Sequence, residues 1–130
     1  MSTLKDLEPI KIPIKLGGNE VYLRYNLTAR RYLEEFTDYK NIMNKSDEDW
    51  TAEDIVQLLR AGLIDYYFEE NEKAINECNF QNVKPSLAAV GRMVDEAGMT
   101  EITLEIINGI FASLPEVPVS AENFQKGEGK

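Results

Sequence analysis

Ile10-Lys-Ile-Pro-Ile-Lys-Leu16, Gly17-Gly18-Asn19-Glu20, Val21-Tyr-Leu-Arg-Tyr25 and Asn26-Leu-Thr-Ala-Arg-Arg-Tyr-Leu-Glu-Glu-Phe36 follow one another with hardly a residue between them. In the first stretch Ile10, Ile12, Ile14 and Leu16 alternate with Lys11, Pro13 and Lys15, the period-2 pattern of a strand with one apolar face. Pro13 removes a ladder donor and so predicts an edge strand or a bulge. Gly17-Gly18 accepts the positive φ values of a tight hairpin turn, and Val21, Leu23 and Tyr25 resume the alternation. At Asn26 the period changes from 2 to 3.6. Asn26 or Thr28 is placed to cap a helix whose stripe is Ala29, Tyr32, Leu33 and Phe36, with Tyr39 or Met43 beyond. The expectation is an antiparallel hairpin over residues 9–25 followed at once by a helix over 28–40.

Working outward, residues 41–49 read as a polar connector. Thr51 with Asp54 three positions on approximates a capping box, and Trp50 and Ile55 occupy the positions of a hydrophobic staple. Ile55, Leu58, Leu59, Gly62, Leu63, Tyr66 and Tyr67 then predict a helix over 51–67. Gly62 lies on its apolar stripe, where a glycine costs about 1 kcal/mol relative to alanine, so the position predicts close approach of another element. Residues 69–78 are sparsely apolar, with a short helix as one reading. Pro85 or Ser86 opens a helix over 86–97 that Gly98 stops. A last helix over 101–114 carries Thr103, Ile106, Ile107, Ile110, Phe111 and Leu114, and Pro115 ends it. The expected fold is α+β, a hairpin packed on a bundle of four or so helices. Its core is expected to hold Leu33, Phe36, Leu59, Leu63, Val90, Val94, Ile107 and Phe111. Residues 1–8 read as a flexible leader, 9–115 as one globular domain, and 116–130, with one proline and few large apolar side chains, as a disordered tail.

The 130 residues carry a net charge of −9, unevenly spread. Residues 1–45 hold 8 Lys/Arg against 6 Asp/Glu, and residues 46–115 hold 4 against 14. So acidic a middle repels phosphate backbones, which argues against nucleic acid as a partner. Nothing approaches the roughly 18 apolar residues that read as a bilayer span, so no membrane contact is expected either. The N-terminal residues lack the apolar run of a secretory signal. There is no histidine, which removes the commonest general base and metal ligand, and the single Cys78 permits neither an internal disulfide nor a multi-cysteine zinc site. Cys78 reads as a small, half-buried residue with no basic neighbour. Asp47-Glu48-Asp49 and the Glu69, Glu70, Glu72 group read as solvated faces; the first lacks the spacing and glycine of a calcium loop. No catalytic residue, cofactor or metal is expected, and the chain reads as a non-enzyme.

Tyr66-Tyr67-Phe68 is the candidate partner-binding cluster. Three successive aromatics on a helix cover about 200° of its circumference and cannot all face one core. One or two are expected inside. The remaining one is then a contact for a partner or for a second copy of the chain, since aromatics are enriched at interfaces.

Four stretches together resemble the tail assembly chaperones of long-tailed bacteriophages and prophages: the strand leading into Leu16-Gly17-Gly18-Asn19-Glu20-Val21-Tyr22-Leu23-Arg24-Tyr25; the helix Leu27-Thr28-Ala29 through Tyr32-Leu33-Glu34-Glu35-Phe36; Asp54-Ile55-Val56-Gln57-Leu58-Leu59-Arg60-Ala61-Gly62-Leu63-Ile64; and Pro85-Ser86-Leu87-Ala88-Ala89-Val90 ahead of a helix ending Ser113-Leu114-Pro115. The resemblance spans roughly residues 8–115. It implies a small acidic α+β protein that binds the tape measure protein in the host cytoplasm. Such a protein keeps its client soluble until tail tube subunits polymerise around it, and is absent from the mature virion. It further implies the tail tube protein as a second partner, and in many such phages a longer frameshifted form. The competing readings are a small structural tail or head–tail connector protein of the virion, a regulatory module that binds a host protein, and a carboxylate hydrolase.

Overall fold

A computed structural model describes residues 11–16 and 18–113; the expected leader and tail lie outside them. The hairpin is present. Strands β1 (Ile12–Leu16) and β2 (Asn19–Leu23) pair antiparallel, with Ile14 opposite Val21 and Leu16 opposite Asn19. Gly18, at φ +82°, supplies the positive φ of the turn. Six α-helices follow among the described residues: α1 (Leu27–Phe36), α2 (Tyr39–Asn44), α3 (Ala52–Leu63), α4 (Phe68–Asn76), α5 (Leu87–Ala97) and α6 (Met99–Ser113). The architecture is α+β. One face of the hairpin, Ile14, Leu16, Val21, Leu23 and Tyr25, is buried against the helices. Helix α3 stands at the centre and touches α1, α5, α6 and β2.

The local signals act where the sequence puts them. Asn26 Oδ1 accepts from Ala29 N–H at 3.0 Å at the start of α1. Thr51 and Asp54 exchange both bonds of a capping box at 3.0 Å each. Ser86 Oγ accepts from Ala89 N–H at 3.2 Å, and Gly98, at φ +96°, ends α5. Burial alone would raise the Asp54 carboxyl. The Thr51 N–H and the Lys45 ammonium, 3.0 Å away, outweigh it and hold that carboxyl below its ordinary value.

Two helix expectations and one connector need correction. The helix expected over 28–40 ends at Phe36, because Thr37 is extended and returns its N–H to Leu33 O at 2.9 Å. Thr and Asp favour caps over helix interiors, and the restart as α2 brings Tyr39 and Ile42 into the core. The polar connector 41–49 is thus partly helix, with a 3-10 turn at Asp47–Asp49. The helix expected over 51–67 stops at Leu63. Beyond it the chain continues in turns, with Ile64 N–H donating to Ala61 O at 3.4 Å and Phe68 N–H to Asp65 O at 3.0 Å, and Asp65 meets Tyr22 Oη at 2.7 Å and Arg24 Nη1 at 3.4 Å. The short helix among residues 69–78 is real, as α4.

Of the expected core, Leu33, Leu59, Leu63, Val90 and Val94 are buried; Phe36 and Ile107 are half-buried, and Phe111 is 58% exposed. The reason lies in Tyr25. Its ring is fully buried and its hydroxyl donates to Leu58 O at 2.8 Å. Two glycines bracket the ring. A Cβ built on Gly62 would stand 2.7 Å from Tyr25 Cζ, and one on Gly109 would stand 3.0 Å from Tyr25 Cε2. Gly62 also lets the strand end come close enough for Arg24 N–H to donate to Gly62 O at 2.9 Å, filling an acceptor of the last turn of α3. With Gly109 against Tyr25, the buried face of α6 is Ile102, Ile106, Gly109 and Ile110. Phe111, 100° further round, turns outward.

A second set of polar anchors fixes the loop before α5. Arg60, 4% exposed, donates from Nε to Pro85 O at 2.9 Å and from Nη2 to Val83 O at 2.7 Å and Gln81 O at 3.1 Å. Its Nη1 donates to Tyr32 Oη at 3.1 Å, and the Tyr32 hydroxyl donates to Gln57 Oε1. Buried Asn71 donates from Nδ2 to Ile64 O (3.1 Å) and Lys84 O (3.0 Å), and accepts from Lys84 N–H (2.6 Å). An irregular loop inside a small domain is tolerated because side chains satisfy its backbone.

The glycine bracket predicts opposite effects from one chemical change. Gly62→Ala forces a methyl into a buried ring and should cost about 1–3 kcal/mol. Gly91→Ala, in the middle of α5 with nothing within 4 Å of the new Cβ, should stabilise by about 0.5–1 kcal/mol. Denaturant melts of the two variants check the pair. Phe111→Ala, which a core position would make worth about 3–5 kcal/mol, should cost under about 1 kcal/mol at this exposed site.

Candidate partner-binding groove

The sequence points to Tyr66, Tyr67 and Phe68, and the structure gives each a different environment. Tyr67 is half-buried and packs on the core. Tyr66, 39% exposed, stands edge-on to Tyr22 with ring centroids 5.2 Å apart, and its hydroxyl donates to Glu20 O at 3.3 Å. It braces the hairpin. Phe68, 47% exposed, opens α4 towards solvent. Tyr66 and Tyr67 meet edge-on with ring centroids 5.0 Å apart, and Tyr66 and Phe68 are the two exposed rings of the three.

A larger opening lies elsewhere. Between α2 and α6 runs a groove of about 600 Å³. Its apolar lining is Tyr39, Met43 and Trp50 on one side and Ile107, Ile110 and Phe111 on the other. Trp50, the only tryptophan, is half-buried and donates from Nε1 to Ile42 O at 3.0 Å. The rim carries Arg30, Lys40 and Lys45 against one carboxylate, Asp47. Arg30 lies over the Tyr39 ring at 5.8 Å and meets Glu34 at 3.0 Å, and Lys45 meets Asp54; Lys40 is exposed. The groove therefore gathers cations around an apolar floor in a protein of net charge −9.

The outer face of α6 continues this floor. Leu104, 57% exposed, half-buried Ile107 and Phe111 recur at i, i+3 and i+7, which places them in one stripe. Helix α6 is thus apolar on two faces, one in the core and one open. Sequence reasoning missed this site because its walls come from residues 30–50 and 107–111. Its signal was faint: Met43 and Trp50 within a polar stretch, and Phe111 just off the turn position that Ile110 holds.

Cys78 is exposed, at φ 55°, and Arg31 Nη2 reaches its Sγ at 3.4 Å. The expectation of a half-buried thiol without a basic neighbour is corrected on both counts: the end of α4 turns Cys78 outward, opposite α1. The acidic 3-10 turn, Asp47–Asp49, is exposed. Among the described residues no group of three His, Cys, Asp or Glu could hold a metal ion, and no helix is long and apolar enough to cross a membrane. No family model, characterised protein or solved structure matches the chain.

The tyrosines give the fold an alkaline limit. Burial, then the hydrogen bond to Asp65, push the Tyr22 hydroxyl up to about 12; burial pushes Tyr25 up further. An unfolded tyrosine titrates near 10, so above that pH the unfolded chain sheds protons that the folded chain keeps. This stability is complete below about pH 10 and is lost as pH rises towards 12. Thermal melts between pH 8 and 12 should show the fall. Tyr22→Phe should flatten it between pH 10 and 12, because the phenylalanine has no proton to lose.

Proposed function

We propose that this protein is a tail assembly chaperone of a long-tailed phage or prophage. It binds the tape measure protein in the cytoplasm of the bacterial host and keeps it soluble until the tail tube polymerises around it. It then stays out of the mature virion. The observation that supports this reading most is the open apolar face of α6, Leu104, Ile107 and Phe111, running into the groove beside Trp50. Contiguous exposed apolar surface marks an interaction site, and a protein that shields a long aggregating client needs such a surface without a reacting centre. The acidic remainder of the surface keeps loaded copies apart. The order of hairpin, helix and paired helical motifs adds the resemblance already described.

Co-expression with the long helical reading frame beside its gene tests the proposal. The expected result is a soluble complex that elutes as one species, with the client insoluble when expressed alone. Phe111→Ser should keep the circular dichroism of the wild type and lose most of that rescue. A client whose solubility is indifferent to this protein overturns the proposal. Recovery of the protein in purified particles would establish a structural tail component in its place.

A further inference from the structure

The groove and the open face of α6 are one continuous surface with a charge gradient. At the groove end stand Arg30, Lys40 and Lys45 with Asp47. At the other end Leu104 has Glu101 and Glu105 near it on the same helix, and α6 carries no Lys or Arg at all. From Leu104 to Phe111 the stripe rises about 10 Å, two turns of helix. The walls are helices, whose backbone groups are already paired within them. An extended peptide would find little backbone to bond there. A helical segment satisfies its own backbone and needs only apolar anchors, the helix-in-groove mode of recognition.

We propose that this surface binds an amphipathic helix of a partner protein, with apolar side chains at i, i+3 or i+4 and i+7, and with carboxylates at the end that seats between Lys40 and Trp50. The inference rests on the reading of this face as the client contact and gives that client its chemistry. The carboxylates meet the exposed Lys40 ammonium directly. Arg30 exchanges its half-exposed pair with Glu34, worth little on its own, for a contact to the incoming acid, while Lys45 keeps its more buried pair with Asp54. The charge pattern favours one direction of the bound helix, because the reverse places its carboxylates beside Glu101 and Glu105.

The full chain and two synthetic helices of about 18 residues test this. The peptides share one leucine stripe and differ in having glutamates or lysines at the same end. Binding is read from the emission of Trp50, the sole tryptophan. The glutamate peptide should blue-shift that emission and bind at least tenfold tighter than the lysine peptide at low salt, with the difference shrinking as salt rises. Lys40→Glu, an exposed change that leaves the fold intact, should reverse the preference. Phe111→Ser should weaken both peptides. Equal affinity for the two, or no response of Trp50, overturns the proposal. If Val117→Ser with Phe124→Ser in the full chain tightens peptide binding tenfold, the chain's own C-terminal residues hold the groove, which also overturns it. So does a dimer that the peptide cannot split, since a second copy then fills the surface. Peptide binding without rescue of the tape measure protein on co-expression would separate this inference from the proposed function: the helix-binding surface would stand and the client would be another protein.

Discussion

One phenol ring governs the arrangement of the rest. Tyr25 leaves the end of the hairpin, passes between Gly62 of α3 and Gly109 of α6, and anchors its hydroxyl on Leu58 O. Neither helix could approach the ring so closely with a side chain at its glycine. The hairpin alone is two strands, too few for independent stability; it is ordered because its apolar face and this ring are embedded in helices. Conversely, α3 and α6 take their spacing from the ring. The glycines give up helix propensity at two positions, and the close packing of a large aromatic offsets that loss.

The same constraint produces the surface on which function depends. A helix phased by its apolar residues alone would bury Phe111 beside Ile107. Phased by Gly109 against Tyr25, α6 buries Ile102, Ile106 and Ile110 and leaves Leu104 and Phe111 outside. The open stripe is therefore not slack in the fold. It follows from the tightest contact in the core, and a sequence that buried both faces of α6 would have to give up the glycine bracket.

Much of the fold was legible locally. The hairpin is written in the alternation on either side of its glycines, the Thr51–Asp54 box, the Ser86 cap and the Gly98 stop each within four residues, and all of them formed. Gly62 was legible as a close approach because a glycine on an apolar stripe has few other uses. The breaks were less so. Thr37 ends α1 and the restart turns Tyr39 and Ile42 into the core, and past the end of α3 Asp65 meets Tyr22 and Arg24 from the hairpin; both sets of contacts are tertiary. The groove was hidden for the same reason, since its floor joins Trp50 to Phe111 across sixty residues of chain. The aromatic cluster divides in a way that three adjacent letters do not specify: Tyr67 packs on the core, while Tyr66, braced on the hairpin, and Phe68 stay exposed.

Arg60 has a consequence of another kind. Its guanidinium is buried, yet its acceptors are three main-chain carbonyls and a phenol, and among the described residues it joins no ion pair. Carbonyls neither take up protons in mild acid nor lose their dipoles to dissolved ions. The loop from Gln81 to Pro85 is thus held by a charge whose partners take up no proton in mild acid. The capping contact at Asp54 weakens as acid neutralises that carboxylate, while this clasp does not. Acid should accordingly loosen the fold unevenly, with the start of α3 released before the approach to α5.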